Sequence, residues 1–139
     1  MLFPQLEKYK GQTYDFDNLL NSAAKFLVSR YSTNLAKGNV KLQFDYRHFA
    51  GEANISIEYA LAILELCANE KILETEYIFD CPVNDGFIES YKSLSEAPPT
   101  LECWHHDEIT IHNTVDCRVQ ILFSFTDNIL RQMKEEFAF

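Results

Sequence analysis

The residues best suited to chemistry lie in the second half of the chain. Two cysteines and a histidine-rich stretch occur there at short spacing: Cys81, Cys103, His105-His106-Asp107-Glu108 and His112. Thiolates and imidazoles are the preferred ligands of zinc, and a histidine beside a carboxylate can also serve acid–base catalysis. This segment is therefore the first candidate for a metal site or an acid–base site.

The histidine stretch also fits a polar hairpin that has no catalytic role. Adjacent residues of a strand point to opposite faces, so His105 and His106 converge only where a turn redirects one of them. A general base further needs a substrate pocket and a partner that orients it. The plain hairpin is therefore favoured, and a hydrolase-like zinc site at Cys103, His105, His106 and Glu108 stays as an alternative.

Other features of the sequence disfavour an enzyme. Cys67 and Cys117 lie in apolar patterns, where buried thiols are inert. A disulfide between Cys81 and Cys103 is not expected in a reducing compartment. With four glycines in 139 residues, the chain has no Gly-rich phosphate loop, no Gly-x-Ser-x-Gly elbow and no His-Glu-x-x-His helix. We expect a protein without catalytic residues and, the zinc site apart, without a cofactor.

Composition and charge limit the partners. Hydrophobic residues make up 47% of the chain, which is enough to fold one domain or two small units. The net charge of −9 is uneven, since residues 1–54 carry +2 and residues 55–139 carry −11. So acidic a surface repels phosphate, because nonspecific affinity for nucleic acid comes from Lys and Arg. No apolar run reaches the roughly 18 residues of a membrane span, and the N-terminus lacks a signal pattern, so we expect a cytoplasmic protein.

Hydrophobic periodicity predicts two amphipathic helices in the first half. Apolar residues recur every three to four positions from Asp17 to Tyr31, and again through residues 57–68, after the good N-cap Ser56. Between these helices, alternation over residues 40–45 predicts a short strand. Asp45 can then cap a short helix.

The second half predicts short strands followed by one helix. Asp85-Gly86 is a tight hairpin signal. The predicted strands span residues 74–80, 87–91, 101–104, 108–112 and 117–125. The last of them is nearly continuous in apolar residues, so we expect it to be buried on both faces. Thr126-Asp127 can cap a C-terminal helix. The fold class is therefore α+β.

The order of the elements resembles that of a known architecture. The predicted elements follow the order of a winged-helix unit, which is helix, short strand, short helix, longer helix and strand. The segment Cys81-Pro82-Val83-Asn84-Asp85-Gly86, taken with Leu101 to Glu108, is similar to a zinc ribbon, in which Cys-Pro-x-Cys-Gly and Cys-x-x-Cys knuckles hold one metal ion. Over roughly residues 15–125, the chain resembles small bacterial winged-helix plus zinc-ribbon proteins, some of which are accessory or middle components of multi-gene anti-phage and NTPase systems.

The resemblance implies a winged-helix-like unit over residues 1–79 and a degenerate ribbon-like β unit with a C-terminal helix over residues 80–139. Asn84 stands where the ribbon has its second cysteine, and His106 stands where it has its fourth. An amide oxygen is a poor substitute for a thiolate. The resemblance leaves two interpretations open. In the first, Cys81, Cys103 and His106 bind zinc and Asp85 or His105 completes the set. In the second, the unit is metal-free and is held by the packing of Phe79, Phe87, Leu101 and Trp104.

The helix after Ser56 presents a candidate contact surface. As a DNA-recognition helix it would expose Glu58 and Glu65 and no Lys or Arg, so it lacks the side chains that contact phosphate and guanine. Tyr59 and Leu66 on the same face are anchors of the kind found at protein interfaces. The alternative is that they pack against the second half of the same chain.

The C-terminal segment is a second candidate contact. Its apolar stripe includes Met133 and Phe137, and such a tail either folds back onto its own sheet or docks on a neighbour, including a second copy of the chain. We predict a non-catalytic adaptor or regulatory subunit that binds a protein partner in a bacterial multi-protein system, with anti-phage defence as one setting. The alternatives are a winged-helix DNA-binding regulator, which would use the basic N-terminal half, and the zinc-dependent hydrolase named above.

Overall fold

The computed structural model describes residues 3–38, 41–105 and 108–136, apart from the side chain of His105. These residues form a mixed α+β fold, and the C-terminal helix predicted from the sequence is present. The helices are α1 Tyr14–Ala36, α2 Tyr46–Ala53, α3 Ile57–Asn69 and α4 Asp127–Glu136, and the strands are β1 Phe44–Asp45, β2 Leu73–Asp80, β3 Phe87–Tyr91, β4 Thr100–His105, β5 Glu108–Asn113 and β6 Arg118–Phe125. Short 3₁₀ turns lie at Pro4–Tyr9, Leu94–Glu96 and Thr114–Asp116.

The strands form two sheets. One sheet has four strands in the order β1-β6-β2-β3, so the last strand of the chain lies between the first and the second. The other sheet is the antiparallel hairpin of β4 and β5. Of the helices in the described residues, none is both long enough and apolar enough to cross a membrane.

The chain divides into two compact units. Unit 1 contains Met1–Glu74 and Phe123–Phe139, and unit 2 contains Thr75–Leu122. The division predicted from the sequence, 1–79 and 80–139, differs from this one because α4 groups with the N-terminal elements. The Thr126 hydroxyl donates a hydrogen bond to the carbonyl oxygen of Lys71 at 2.8 Å, and Ile129 and Met133 of α4 are fully buried.

Unit 1 is built on aromatic packing between α1, α2 and the sheet. The Phe26 ring of α1 lies 4.9 Å from Phe49 and 5.4 Å from Phe44, measured between ring centroids. The Phe44 ring lies 6.3 Å from that of Phe123 on β6. These rings are almost fully buried, so each removes a large apolar area from water. This core holds α1, α2 and β6 together.

The helix caps predicted at Asp45 and Ser56 are confirmed, whereas α1 begins at Tyr14, before the predicted start at Asp17. The Ser56 hydroxyl accepts a hydrogen bond from the backbone N–H of Tyr59 at 3.2 Å. The Asp45 carboxylate accepts one from the N–H of Arg47 at 2.8 Å. Each side chain satisfies a donor that the first helical turn leaves without an intrahelical partner. The strand predicted over residues 40–45 is shorter than expected: β1 covers only its end, and residues 39 and 40 lie outside the described part.

Unit 2 has a much smaller core. Its buried cluster contains Phe79, Leu101 and Cys117, around which partly buried apolar residues lie: Tyr77, Ile88, Tyr91 and Ala97. The hairpin predicted at Asp85-Gly86 is present, with Asp85 in the left-handed region at φ 60°.

Two expectations for this part of the chain are wrong. Phe87 and Trp104 are exposed at 64% and 67%, so the four residues expected to hold unit 2 together do not form one packed set. The side chains of Trp104 and Phe87 point away from the small core, whereas Phe79 and Leu101 are buried in it. Strand β6 was expected to be buried on both faces, but its first three residues are exposed and only its C-terminal end is buried. Only that buried end contributes to the core of unit 1.

Candidate functional site

The most distinctive group of side chains in the described residues starts at a tight turn between β2 and β3. The Cys81 N–H donates to the carbonyl oxygen of Gly86 at 2.7 Å, and the Asp85 N–H donates back to the carbonyl of Cys81 at 2.9 Å. The Asn84 amide oxygen accepts from the N–H of Gly86 at 2.8 Å. These bonds fix the backbone around the Cys81 side chain. The N–H of Val83 points at the Cys81 sulfur at 3.4 Å.

The β4–β5 hairpin brings two more ligand types to this sulfur. Cys103 lies opposite Thr110 and Leu101 lies opposite His112 in the antiparallel register. Residues directly opposite each other, and residues two apart on a strand, share a face. Cys103 and His112 are therefore diagonal neighbours on one face of the hairpin.

Three ligand atoms meet at this point. The Cys81 Sγ, the Cys103 Sγ and a ring nitrogen of His112 all lie within 4.8 Å of one another. The Cys81 Sγ is 3.6 Å from the His112 Nε2. Two thiolates and an imidazole around tetrahedral zinc lie about 3.5–3.8 Å apart, given the usual zinc–ligand bond lengths. Both cysteines are buried and His112 is partly buried. These residues fit a zinc ion in donor type and in spacing.

The electrostatic environment separates the two thiols. Burial raises the pKa of Cys81, but hydrogen bonds from the backbone N–H groups of Asn84 and Val83 and from the Cys103 thiol outweigh it, so its pKa lies below the ordinary value. Burial and the adjacent Cys81 sulfur raise the pKa of Cys103. Cys81 is therefore the thiol that ionises first, and the thiolate is the form that binds a metal.

The structure only partly reproduces the zinc site expected from the sequence. It brings Cys81 and Cys103 together, and the third residue grouped with them among the described residues is His112. His106 lies outside the described residues, as does the side chain of His105. The Asp85 carboxylate is exposed and pairs with Arg118 at 3.2 Å.

The ligand set expected from the sequence does not include His112, because its position beside the two thiols depends on strand register. The signal that could have revealed it is the pair of strands predicted on either side of a turn. Pairing them with Leu101 opposite His112 places Cys103 and His112 on one face.

The other two cysteines do not contribute ligand atoms to this group. Burial raises the pKa of Cys67, in α3, to about 12, as expected of an inert core thiol. Cys117 lies in the core of unit 2 beside Leu101, and burial followed by the charge of Cys81 raises its pKa. Its sulfur contacts the carbonyl oxygen of Asn113 at 3.7 Å.

The outer face of α3 carries the charges predicted for it. Glu58 and Glu65 are exposed, and Tyr59 is exposed at 61%. Leu66 is half-buried. The face therefore presents two carboxylates and an aromatic ring to its surroundings, and α3 contains no Lys or Arg.

A groove of about 570 Å³ lies between the N-terminal ends of α1 and α3. Its apolar lining includes Phe16, Leu19 and Ile55, and Tyr59 and Asp15 also line it. Tyr59 therefore joins the acidic face of α3 to an apolar groove within unit 1.

The sequence predicts that Met133 and Phe137 of the C-terminal segment contact a partner. Met133 is exposed at only 1%, so its side chain belongs to the core of unit 1 and is not on an open surface. The amphipathic pattern of α4 folds back onto its own chain, which was one of the two outcomes expected from the sequence. Phe137 lies outside the described residues.

Comparisons with known proteins add no further assignment. No protein-family model matches the chain, and no curated protein and no solved structure matches it significantly.

Proposed function

We propose that this protein is a non-catalytic adaptor or regulatory subunit that binds a protein partner at the groove between α1 and α3. The observation that carries the proposal is Tyr59, an exposed aromatic ring that lines an apolar groove. Exposed aromatic residues beside apolar pockets are the usual anchors of protein interfaces. The groove is formed entirely by unit 1.

The charges around the groove favour a particular kind of partner. Asp15 lines the groove, and Glu58 lies beside Tyr59 on α3. A partner segment with an apolar side chain for Phe16 and Leu19, flanked by Lys or Arg, would satisfy both the apolar wall and the acidic rim. Complementary charges of this kind speed encounter and select the partner. A basic, amphipathic protein segment is therefore the occupant we propose.

The same features argue against the two alternative functions. A DNA-binding helix needs Lys or Arg to neutralise phosphate, and α3 offers Glu58 and Glu65 instead. The hydrolase alternative needs a catalytic group that substrate can reach. The Cys81 sulfur lies next to His112 but is buried, so substrate cannot reach it.

The topology supports the proposed architecture. The order α1-β1-α2-α3-β2 is that of a winged-helix unit, and β6 returns between β1 and β2, where the second strand of a wing would lie. Unit 2 begins within β2 and ends within β6, so it occupies the position of the wing in the chain. We propose a winged-helix-like unit carrying a ribbon-like insertion, which serves as an accessory component of a bacterial multi-protein system, anti-phage defence included.

The test is co-purification from the native source with matched variants. Wild-type protein, Tyr59→Ala and Glu58→Lys are compared with Phe87→Ala, which removes a ring of similar exposure from unit 2. We expect one defined partner to be lost with both groove variants and to be retained with Phe87→Ala. A chain that stays monomeric and without a partner, or a partner that ignores both substitutions at the groove, would contradict the proposal.

A gel-shift titration with duplex DNA at low salt distinguishes the nucleic-acid alternative. We expect no shift, because the exposed face of α3 is acidic. A complex that weakens steeply as salt rises would instead support a DNA reader, since such binding releases counterions from phosphate.

A further inference from the structure

We propose that unit 2 binds one zinc ion through the Cys81 Sγ, the Cys103 Sγ and the His112 ring. The site and the groove of unit 1 have no residue in common, so the zinc proposal can fail without the proposed adaptor function failing, and the reverse. Its ligand set also differs from the two-knuckle pattern of the sequence, because the histidine comes from the second strand of a hairpin.

The first argument is convergence. The three ligand atoms come from residues far apart in the chain, yet they lie within 4.8 Å of one another. The 3.6 Å between the Cys81 Sγ and the His112 Nε2 already matches the separation of two ligands on tetrahedral zinc, about 3.5 Å. Little movement is needed to bring the three atoms to bonding distance of one ion.

The second argument is the turn that carries Cys81. Its backbone is fixed at both ends by the paired bonds between Cys81 and the residues 85 and 86, and the Asn84 side chain closes it further. The Val83 N–H is directed at the sulfur. Backbone donors aimed at sulfur stabilise a thiolate, which is the form that coordinates zinc. The turn thus holds the Cys81 sulfur in place with a backbone donor directed at it.

The third argument is the small core of unit 2. Its buried cluster has three members, and two large apolar residues that could have extended it are exposed instead: Phe87 and Trp104. Units of this size commonly need a disulfide or a metal ion in addition to their apolar core. A zinc ion at the three ligands would join the β2–β3 turn to the β4–β5 hairpin. A fourth ligand, which zinc in proteins takes from a side chain or from water, completes the tetrahedron.

Cobalt titration of the full-length wild-type chain is the primary test, because it needs no substitution. Protein is expressed with added zinc, its metal content is measured, and it is then stripped with chelator and titrated with Co²⁺. We expect about one zinc per chain as purified. With cobalt we expect the visible absorption of a tetrahedral ion together with a thiolate-to-cobalt charge-transfer band.

Matched variants identify the ligands. Cys81→Ser and Cys103→Ser should each reduce the charge-transfer band to about half, because one of two thiolates is lost. His112→Asn should keep that band but weaken cobalt affinity by about tenfold or more. His48→Asn is the control, because this exposed histidine of α2 pairs with Glu52 in unit 1 and is not one of the three proposed ligands. It should titrate like the wild type.

Three results would overturn the proposal. The first is a wild-type chain that binds neither zinc nor cobalt under reducing conditions. The second is bound metal whose spectrum lacks thiolate character or responds equally to His112→Asn and His48→Asn, which indicates an adventitious ion only. The third is an intact mass two hydrogens below that of the reduced chain with a Cys81–Cys103 crosslink in protein purified anaerobically, because the two thiols would then be consumed in a disulfide.

Discussion

Replacing Met133 by alanine tests whether α4 is a core element or a docking surface. The Met133 side chain is exposed at only 1%, and Ile129 one turn earlier is equally buried. Truncating a buried methionine to alanine costs about 2–5 kcal/mol, because apolar surface is lost and a cavity remains. For Met133→Ala we expect the free energy of unfolding to fall by about 3 kcal/mol. A chain of this size has roughly 5–15 kcal/mol of total stability, so the change is large.

Urea unfolding followed by circular dichroism measures this effect. With an m value of about 2 kcal/mol per molar urea, the loss moves the unfolding midpoint of Met133→Ala down by about 1.5 M. The control is Glu135→Ala on the exposed side of the same helix, which should change the free energy of unfolding by less than about 0.5 kcal/mol. Wild-type stability in Met133→Ala, together with a change in oligomeric state, would refute the placement of this side chain in the core.

Three further predictions concern electrostatics, thiol reactivity and helix capping. The hydrogen bond from Lys41 holds the pKa of the Asp127 carboxyl below its ordinary value. The pair therefore stabilises the fold at pH values above the ordinary pKa of an aspartate, and this contribution is lost as the pH falls through the lowered pKa. The midpoint temperature of thermal unfolding, measured at a series of pH values, should therefore fall less steeply in acid for Asp127→Asn than for wild type. Equal slopes for the two proteins would contradict this. In folded, metal-free protein, Cys67 should alkylate more slowly than Cys81, because burial raises its pKa to about 12, and peptide mapping after a short pulse of iodoacetamide measures the two rates. Equal rates would contradict the assigned environments. Thr126→Val should cost about 1–2 kcal/mol of stability in urea unfolding, because its hydroxyl caps α4, and a loss near zero would remove that role.

The local elements could be read from the sequence because their signals are local. The amphipathic spacing of α1 and α3, the caps at Asp45 and Ser56 and the turn at Asp85-Gly86 each depend on residues within a few positions of one another. The exposed carboxylates of α3 follow in the same way, since helical spacing alone decides which residues share its outer face. These features needed no knowledge of the rest of the chain.

Only the tertiary structure decided which residues from distant segments meet. His112 joins Cys103 because of the register between β4 and β5, and a shift of one residue would turn its ring to the other face. Likewise, α4 follows unit 2 in sequence but buries Met133 in unit 1, because β6 returns between β1 and β2 and carries the helix with it. Strand pairing depends on contacts between residues far apart in sequence, and neither periodicity nor composition specifies those contacts.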